Sequence, residues 1–313
     1  MKDDSPAPYF ADVAEAPEGA HVHWLTASDG VRIRAAFWRG GSKGTVLLFP
    51  GRTEYIEKYG PAAAELAARG YAMLTVDWRG QGLADRPLAD RATGHVGLFQ
   101  DYQKDVSALL DLACRAALPQ PLFLIAHSMG GAIGLRALYH GLPVRAAVFS
   151  APMWGIRLHP AVRPVAWALS SASRGLGQGH QYAPGTSATT YVAEAPFADN
   201  VLTTDPAMYA FMQRQLRQHP ELALGGPSLH WLNEALRECL ELRRRPAPDL
   251  PCLAVLGAQE RVVDPRPIHG RMAHWPKGRL EIIPGAEHEV MMEKPATRKR
   301  FFDAACALFD AQS

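Results

Sequence analysis

The sequence lacks the features that mark metal-binding and membrane-spanning proteins. Its four cysteines, Cys114, Cys239, Cys252 and Cys306, are far apart and form no CxxC or cysteine–histidine ligand spacing. Three of them lie in predicted helices or strands, so we expect buried free thiols. No uninterrupted apolar stretch reaches the length needed to cross a bilayer. The histidine pairs His21/His23 and His269/His274 likewise lack nearby carboxylate or cysteine partners, so we expect no metal.

An excess of charge of one sign is also lacking. The 33 Lys and Arg residues against 31 Asp and Glu leave a formal net charge of +2, which gives no electrostatic reason to expect nucleic acid. The opening stretch MKDDSPAPYF is acidic and broken by proline, without the apolar core of a signal peptide. We expect a cytoplasmic protein without a nucleic-acid partner, and leave open a peripheral position on the inner face of the membrane.

What the sequence does contain is a regular alternation of short apolar runs with amphipathic stretches. A hairpin pattern over 21–39 comes first, with a turn signal at Ser28-Asp29-Gly30. Continuous apolar strands that alternate with helices predict a parallel sheet covered by helices on both faces, which is an α/β fold. The predicted strands are 44–50, 71–78, 121–126, 144–151, 252–258 and 278–286, and the predicted helices are 55–70, 97–118, 130–141, 265–274 and 295–311.

The alternation stops after Pro152. Residues 153–245 contain no clear strand, but they include helical patterns and a stretch rich in glycine and serine. We therefore predict one α/β domain built from 1–152 and 246–313. A helical insertion, 153–245, follows the sixth strand and is expected to lie over the site as a lid.

A lone serine lies between a buried strand and a helix in the stretch PLFLIAHSMGGAIGLRAL. Ser128 has the small residues Ala126 and Gly130 two positions away on either side, as a strained strand-to-helix turn requires. Such a turn presents the hydroxyl at the carboxyl edge of the sheet, where open α/β folds bind ligands. The backbone N–H of Met129 would lie at the start of the helix, placed to stabilise an oxyanion. Ser128 is the candidate nucleophile.

A serine nucleophile needs a base that is held by an acid. His288 lies in the loop after the last predicted strand and is the candidate base. Two acids follow the strand 252–258. Glu260 comes directly after the strand end and is favoured, whereas Asp264 precedes a proline and can be explained as a helix N-cap; the choice stays open.

The second oxyanion donor is expected in the loop that follows the strand 44–50. There Gly51 allows close approach and Arg52 supplies a backbone N–H. Gly51, His127 and Trp154 are candidate substrate contacts. His127 is expected to be a wall or packing residue, and Trp154 belongs to apolar residues of the insertion that could line an acyl pocket or form its own core.

Five motifs together resemble the serine α/β-hydrolases of the lysophospholipase and monoacylglycerol lipase type, a group that overlaps in name with the S33 aminopeptidases. They are FPGRTEYIEKYG, VDWRGQGLAD, IAHSMGG, GAQERVVDP and GAEHEVMMEK. Pro50 stands where many members have histidine, and Ala84 replaces a frequent serine. Glu260 before RVVD is similar to the bacterial lysophospholipases, whereas monoacylglycerol lipases usually have aspartate there.

The resemblance implies hydrolysis of a small-molecule or lipid ester through an acyl-enzyme, without a cofactor, and with a peripheral membrane contact of the insertion as an open expectation. An aminopeptidase of the same family is the alternative function. It would need an acidic group in the insertion to bind the substrate amine, for which Glu194, Asp199 and Asp205 are candidates. A catalytically silent ligand-binding relative is the alternative outside the enzymes. The sequence leaves the oligomeric state open.

Overall fold

An eight-stranded sheet forms the centre of the protein in the computed structural model, which describes residues 5–312. The strand order across the sheet is β1-β2-β4-β3-β5-β6-β7-β8. β1 pairs antiparallel with β2 and β2 antiparallel with β4, while all other neighbours are parallel. The strands are β1 (His21–Thr26), β2 (Arg32–Trp38), β3 (Thr45–Phe49), β4 (Ala72–Asp77), β5 (Leu122–His127), β6 (Val144–Ser150), β7 (Cys252–Gly257) and β8 (Gly278–Ile283).

The two central strands β3 and β5 bring two loops to one edge of the sheet. Both strands are buried along their whole length, as expected for continuous apolar runs in a parallel sheet. In their register Phe49 lies opposite Ala126, so both strands end at the same level. The loop that begins at Pro50 and the turn at Ser128 therefore leave the sheet side by side.

Helices cover both faces of the sheet, and each face has its own apolar core. The predicted helix 55–70 divides into a 3-10 segment, Ile56–Tyr59, and an α-helix that starts next to Pro61, a residue suited to a first helical turn. The helices are α1 (Ala11–Ala14), α2 (Gly60–Ala68), α3 (Tyr102–Arg115), α4 (Met129–Tyr139), α5 (Val162–Gly175), α6 (Tyr191–Glu194), α7 (Pro206–Gln218), α8 (Leu229–Arg244), α9 (Pro265–Met272) and α10 (Pro295–Asp310). This arrangement confirms the predicted α/β-hydrolase architecture.

The segment between β6 and β7 contains α5 to α8. Within 153–245, all of which the structure describes, β pairing is limited to isolated bridges. α8 begins at the N-cap Ser228, whose hydroxyl accepts from the Trp231 N–H at 3.0 Å. It is joined to α4 by a buried ion pair of Arg136 with Glu238, in which Nη2 lies 2.8 Å from Oε2. The predicted helical character of this segment is therefore observed, while its role as a lid stays a prediction.

The cysteines follow the expectation with one exception. Cys239, Cys252 and Cys306 are buried free thiols, but Cys114 is exposed on α3. The apolar side of α3, which includes Leu109 and Leu112, faces the core, and Cys114 falls on the other side. Among the helices of residues 5–312, none has the length and apolar character needed to cross a membrane.

Candidate active site

Ser128 occupies a strained turn between β5 and α4. Its backbone angles are φ 49° and ψ −118°, outside the regions that a non-glycine residue adopts without cost. Three backbone hydrogen bonds hold the turn: Ser128 N–H donates to Ser150 O at 3.0 Å, and Ser128 O accepts from Gly131 and Met153 N–H at 2.8 Å each. These hydrogen bonds therefore hold Ser128 at the carboxyl edge of the sheet.

Gly130 shows why small residues flank the serine. A Cβ atom at this position would lie 2.5 Å from Pro50 O and closer still to Phe49 O. Both are backbone atoms at the end of β3, so neither can rotate away. The helix that starts at Met129 can therefore pack directly against the loop after β3. Met129, as the first helical residue, has a backbone N–H without an intrahelical acceptor.

His288 and Glu260 form a buried hydrogen-bonded pair. His288 Nδ1 lies 2.7 Å from Glu260 Oε2, and both side chains are almost completely buried. The other carboxylate oxygen accepts the backbone N–H groups of Val262 at 2.6 Å and Val263 at 2.9 Å. Burial alone would raise the pKa of Glu260, but the hydrogen bond and charge of His288 and the two backbone N–H groups lower it overall. The imidazole is thereby oriented with Nε2 as its free nitrogen.

Asp264 has a different position and different partners. It is the N-cap of α9, where its Oδ1 accepts the Arg266 N–H at 3.1 Å. Its Oδ2 lies 2.7 Å from Arg266 Nη2 and 3.6 Å from Arg163 Nη2. The geometry thus brings Glu260, and not Asp264, to the histidine.

A buried carboxylate shapes the loop after β3. Glu54 Oε2 accepts the backbone N–H of Gly51 and, at 2.5 Å, the Tyr59 hydroxyl. Its Oε1 lies 2.8 Å from Lys58 Nζ. A Cβ atom on Gly51 would lie 3.0 Å from both the Ser128 Cβ and this carboxylate, so the space around Gly51 leaves little room for a side chain. Glu54 therefore holds the backbone that leads into the candidate oxyanion donor Arg52.

Lys58 joins this loop to the histidine loop. Its ammonium also lies 2.5 Å from Glu289, the residue after His288. Burial pushes the pKa of Glu54 upward, but Lys58 and His127 lower it overall to about 2. Burial and the charge of Glu54 raise the pKa of Glu289, although Lys58 opposes this shift. One ammonium between two buried carboxylates favours a single full ion pair, because the second carboxylate meets a like charge.

His127 is buried next to the cluster of Glu54, Lys58 and Glu289. Burial lowers its pKa to about 3 despite the nearby carboxylate of Glu54, so its imidazole is neutral. Glu54, His127 and Glu289 bring ligand-type atoms within 4.8 Å of one another. The Lys58 ammonium already neutralises this donor set, which makes it a poor cation site.

Ser128 and His288 open into one cavity of about 530 Å³. Arg52 and Glu289 line it too, and residues 185–232 supply much of its wall. Most of the remaining lining is apolar: Met153, Ile156, Val201, Leu202, Met212, Leu216, Leu224, Trp231, Leu232, Val262 and Val263. Two larger cavities, about 750 and 800 Å³, contain neither Ser128 nor His288. The smaller cavity is therefore the one that fits a reaction at Ser128.

Three predicted substrate contacts lie outside that lining. Gly51 is buried in contact with Ser128, and His127 is buried as well. Trp154 donates from Nε1 to Gly131 O at 3.1 Å, and its ring packs against Phe149 and Trp275. The prediction that Trp154 could line the acyl pocket is corrected here, because its indole faces the core and a different cavity.

Sequence reasoning did not identify two features of the site. The Lys58 bridge between Glu54 and Glu289 was missed, because its ends are 235 positions apart and only the fold brings them together. The side chain of Arg52, considered only for its backbone N–H, also faces the cavity. A basic residue directly after the Pro-Gly of the oxyanion loop was the one signal in the sequence for the second feature.

The chain is similar in sequence to known proteins over most of its length. The serine aminopeptidase S33 family matches residues 40–295. Lysophospholipase L2 of Escherichia coli strain K12 is 32% identical over 297 residues, covering 91% of this chain and 86% of that protein. A probable lysophospholipase L2 of Haemophilus influenzae is 30% identical over 271 residues, covering 86% and 84%.

Solved structures show the same fold at lower identity. A soluble variant of monoglyceride lipase from Saccharomyces cerevisiae, crystallised with a substrate analog, has a TM-score of 0.73 at 21% identity and covers 98% of this chain and 100% of its own. A thermostable carboxyl esterase from Bacillus coagulans has a TM-score of 0.74 at 14% identity, with 95% and 99% covered. The order and pairing of the strands described above are therefore those of a known hydrolase architecture.

Proposed function

The chain belongs to the serine aminopeptidase S33 family of α/β-hydrolases, and from this premise we propose that it hydrolyses carboxylic esters of lysophospholipids or monoacylglycerols. One observation carries the proposal. His288, whose Nδ1 lies 2.7 Å from Glu260 Oε2, lines the same apolar cavity as Ser128. Serine acyl transfer needs an acid that orients a base, with the base and a serine held in a strained turn on the same cavity.

In the proposed reaction His288 Nε2 takes the Ser128 proton while Oγ attacks the ester carbonyl. Glu260 keeps the imidazole oriented and stabilises the imidazolium that forms. The N–H groups of Met129 and Arg52 donate to the oxyanion, and His288 returns the proton to the leaving alcohol. Water activated by the same imidazole then releases the fatty acid. No step uses a metal or an organic cofactor.

The cavity favours an acyl substrate over a peptide. Its lining is mostly apolar, which suits a fatty acyl chain. The acidic residues considered for an aminopeptidase lie elsewhere. Glu194 and Asp199 are exposed, and Asp205 is the N-cap of α7. None of the three lines the cavity with Ser128, and the acids that do, Glu54 and Glu289, are bound to Lys58.

The test is fatty-acid release from a lysophospholipid and a monoacylglycerol, with a dipeptide amide alongside. We expect both esters to be cleaved and the amide to remain intact, with activity lost in Ser128→Ala. Covalent labelling of Ser128 by a fluorophosphonate, read as a mass increase, checks the nucleophile independently. Cleavage of the amide alone would replace this proposal with the peptidase. An unlabelled, inactive protein would indicate a silent relative.

We also propose that residues 153–245 act as a lid that contacts the surface of a membrane without crossing it. Helix α7 offers no apolar face for such a contact, because its residues Met208, Phe211 and Met212 are buried. Three exposed apolar side chains lie together on α5 instead, where Val162 is 49%, Val165 61% and Leu169 40% exposed. Their spacing of three and four positions places them on one face of the helix, as in interfacial helices.

Flotation with vesicles tests the membrane contact. We expect the protein to float with vesicles of mixed zwitterionic and anionic lipids, and Val165→Asp to reduce the bound fraction several-fold. Leu98→Asp is the matched control, because Leu98 is 51% exposed on the loop before α3. Equal binding of both variants and the unaltered protein would exclude α5 as the contact.

A further inference from the structure

Arg52 is a cation of the cavity without a carboxylate partner. Among residues 5–312, its guanidinium has no acid within salt-bridge distance, and its one hydrogen bond runs from Nη2 to Gly225 O at 2.5 Å. Its Nε is buried and has no acceptor in the same part of the chain. Burial lowers the pKa of Arg52 to about 10, which still leaves the group charged at neutral pH. A guanidinium has five N–H donors, so most of them lack a protein acceptor here.

The guanidinium is nevertheless held in place. It lies over the ring of Trp231, 5.3 Å from the centroid, and is anchored to the backbone at Gly225. The closest atom to a Cβ built on Gly94 would be Arg52 Nη2, so the guanidinium also packs against the backbone at Gly94. An arginine held in one position presents its donors without a further loss of side-chain entropy, which suits an oxyanion such as phosphate.

The other cation of the cavity differs in this respect. Lys58 lies between Glu54 at 2.8 Å and Glu289 at 2.5 Å, so its charge is already balanced by a carboxylate. Arg52 therefore supplies the uncompensated positive charge in a cavity whose remaining lining is mainly apolar. That combination is complementary to an amphiphile with an acyl chain and one anionic group.

We propose that Arg52 is the headgroup-binding residue of this cavity, and that its guanidinium binds the phosphate diester of a lysophospholipid whose ester carbonyl lies at Ser128. This inference rests on the proposed ester hydrolysis and narrows its substrate class. A neutral monoacylglycerol can fill the same apolar space, but it leaves the guanidinium without an anion. Selectivity for the phosphate-bearing ester follows, because a buried donor left unpaired is costly.

The test compares three decanoyl esters, those of lysophosphatidylglycerol, lysophosphatidylcholine and glycerol, supplied as monomers. The readout is the ratio of kcat/KM for each phosphate ester to kcat/KM for the glycerol ester. We expect Arg52→Gln to lower both ratios about tenfold or more, mainly through KM, and Arg52→Lys to restore part of the loss. A ratio is used because any shift of the oxyanion backbone affects all three substrates alike.

Arg86 is the matched control. It also has a buried Nε without an acceptor in residues 5–312, and its Nη2 approaches Ala223 O at 3.4 Å, close to the Gly225 anchor of Arg52. It does not line the cavity. We expect Arg86→Gln to leave both ratios unchanged. Equal ratios in Arg52→Gln and the unaltered protein would overturn the inference, whereas an unaltered protein inactive on all three esters would overturn the proposed function.

A measurement on the unaltered protein covers the case in which Arg52→Gln does not fold. Octyl phosphocholine and octyl glycerol ether have the same chain, but only the first has a phosphate diester. We expect octyl phosphocholine to inhibit hydrolysis of a neutral nitrophenyl ester with an inhibition constant at least about tenfold lower. Equal inhibition constants would contradict binding of the phosphate by the cavity.

Discussion

At the scale of single residues, the identity of the triad acid is the sharpest question. Glu260 and Asp264 are four positions apart in the same loop, and the sequence could not decide which side chain turns toward His288. The structure places Glu260 Oε2 2.7 Å from Nδ1 and fixes its other oxygen with two backbone N–H groups. Asp264 is occupied as a helix cap and by Arg266. The difference is one of orientation, which residue type and spacing do not encode.

Substitution of each acid by its amide tests this assignment. We expect Glu260→Gln to lower kcat by a factor on the order of 10² to 10⁴, because the amide cannot stabilise the imidazolium. Asp264→Asn should keep most of the activity, because asparagine also caps helices. The measurement is kcat on a nitrophenyl ester, with circular dichroism to confirm folding. A larger loss in Asp264→Asn than in Glu260→Gln would reverse the assignment.

At the scale of elements, the turn between β5 and α4 depends on a close approach of backbones. The sequence allowed this turn to be predicted because both flanking positions, Ala126 and Gly130, hold small residues. It could not show what those residues meet. The structure identifies the neighbours of Gly130 as Phe49 O and Pro50 O, so helix α4 and the oxyanion loop share one tight contact.

We predict that Gly130→Ala destabilises the fold by about 2 to 3 kcal/mol, because the added methyl group overlaps carbonyl oxygens that cannot move independently. Activity should fall as well, since the displaced atoms lead into Gly51 and Arg52. Gly270→Ala is the control. Gly270 lies inside α9 with nothing within 4 Å of an added Cβ, so this change should stabilise by up to about 1 kcal/mol. Urea titration of both variants measures the difference, and equal midpoints would refute the steric argument.

At the scale of the whole molecule, the sequence predicted features that depend on neighbouring residues. It did not predict contacts between residues that are far apart in the chain. Strands, helices and the turn at Ser128 follow from local patterns, and most of the predicted strands and helices appear in the structure. The links between distant segments do not follow from such patterns. Lys58 meets Glu289, and Arg136 meets Glu238, only because the sheet order brings their elements together. From the sequence alone, charged residues at these positions would be predicted to be exposed to solvent.

The buried pair of Arg136 and Glu238 can be used to test whether residues 153–245 form a unit separate from the sheet domain. Each side chain is about 3% exposed, and the pair joins α4 of the sheet domain to α8 of the insertion. Burial raises the pKa of Glu238 although Arg136 opposes the shift, so removal of the arginine leaves an acid in a dry contact. Arg136→Met should therefore weaken the docking of α8 by about 3 kcal/mol.

If the insertion is a separate unit, this loss is local. We expect hydrogen exchange in Arg136→Met to speed up by about 100-fold in α8 and in α5, while β3 to β7 keep their protection. Arg237→Met is the control, because Arg237 is exposed on the same helix and its one side-chain hydrogen bond within residues 5–312 is to Asn233. Protection lost equally from sheet and insertion would show that 153–245 unfolds together with the sheet. The insertion could then open over Ser128 only by small movements within a folded protein, because its unfolding would take the catalytic sheet with it.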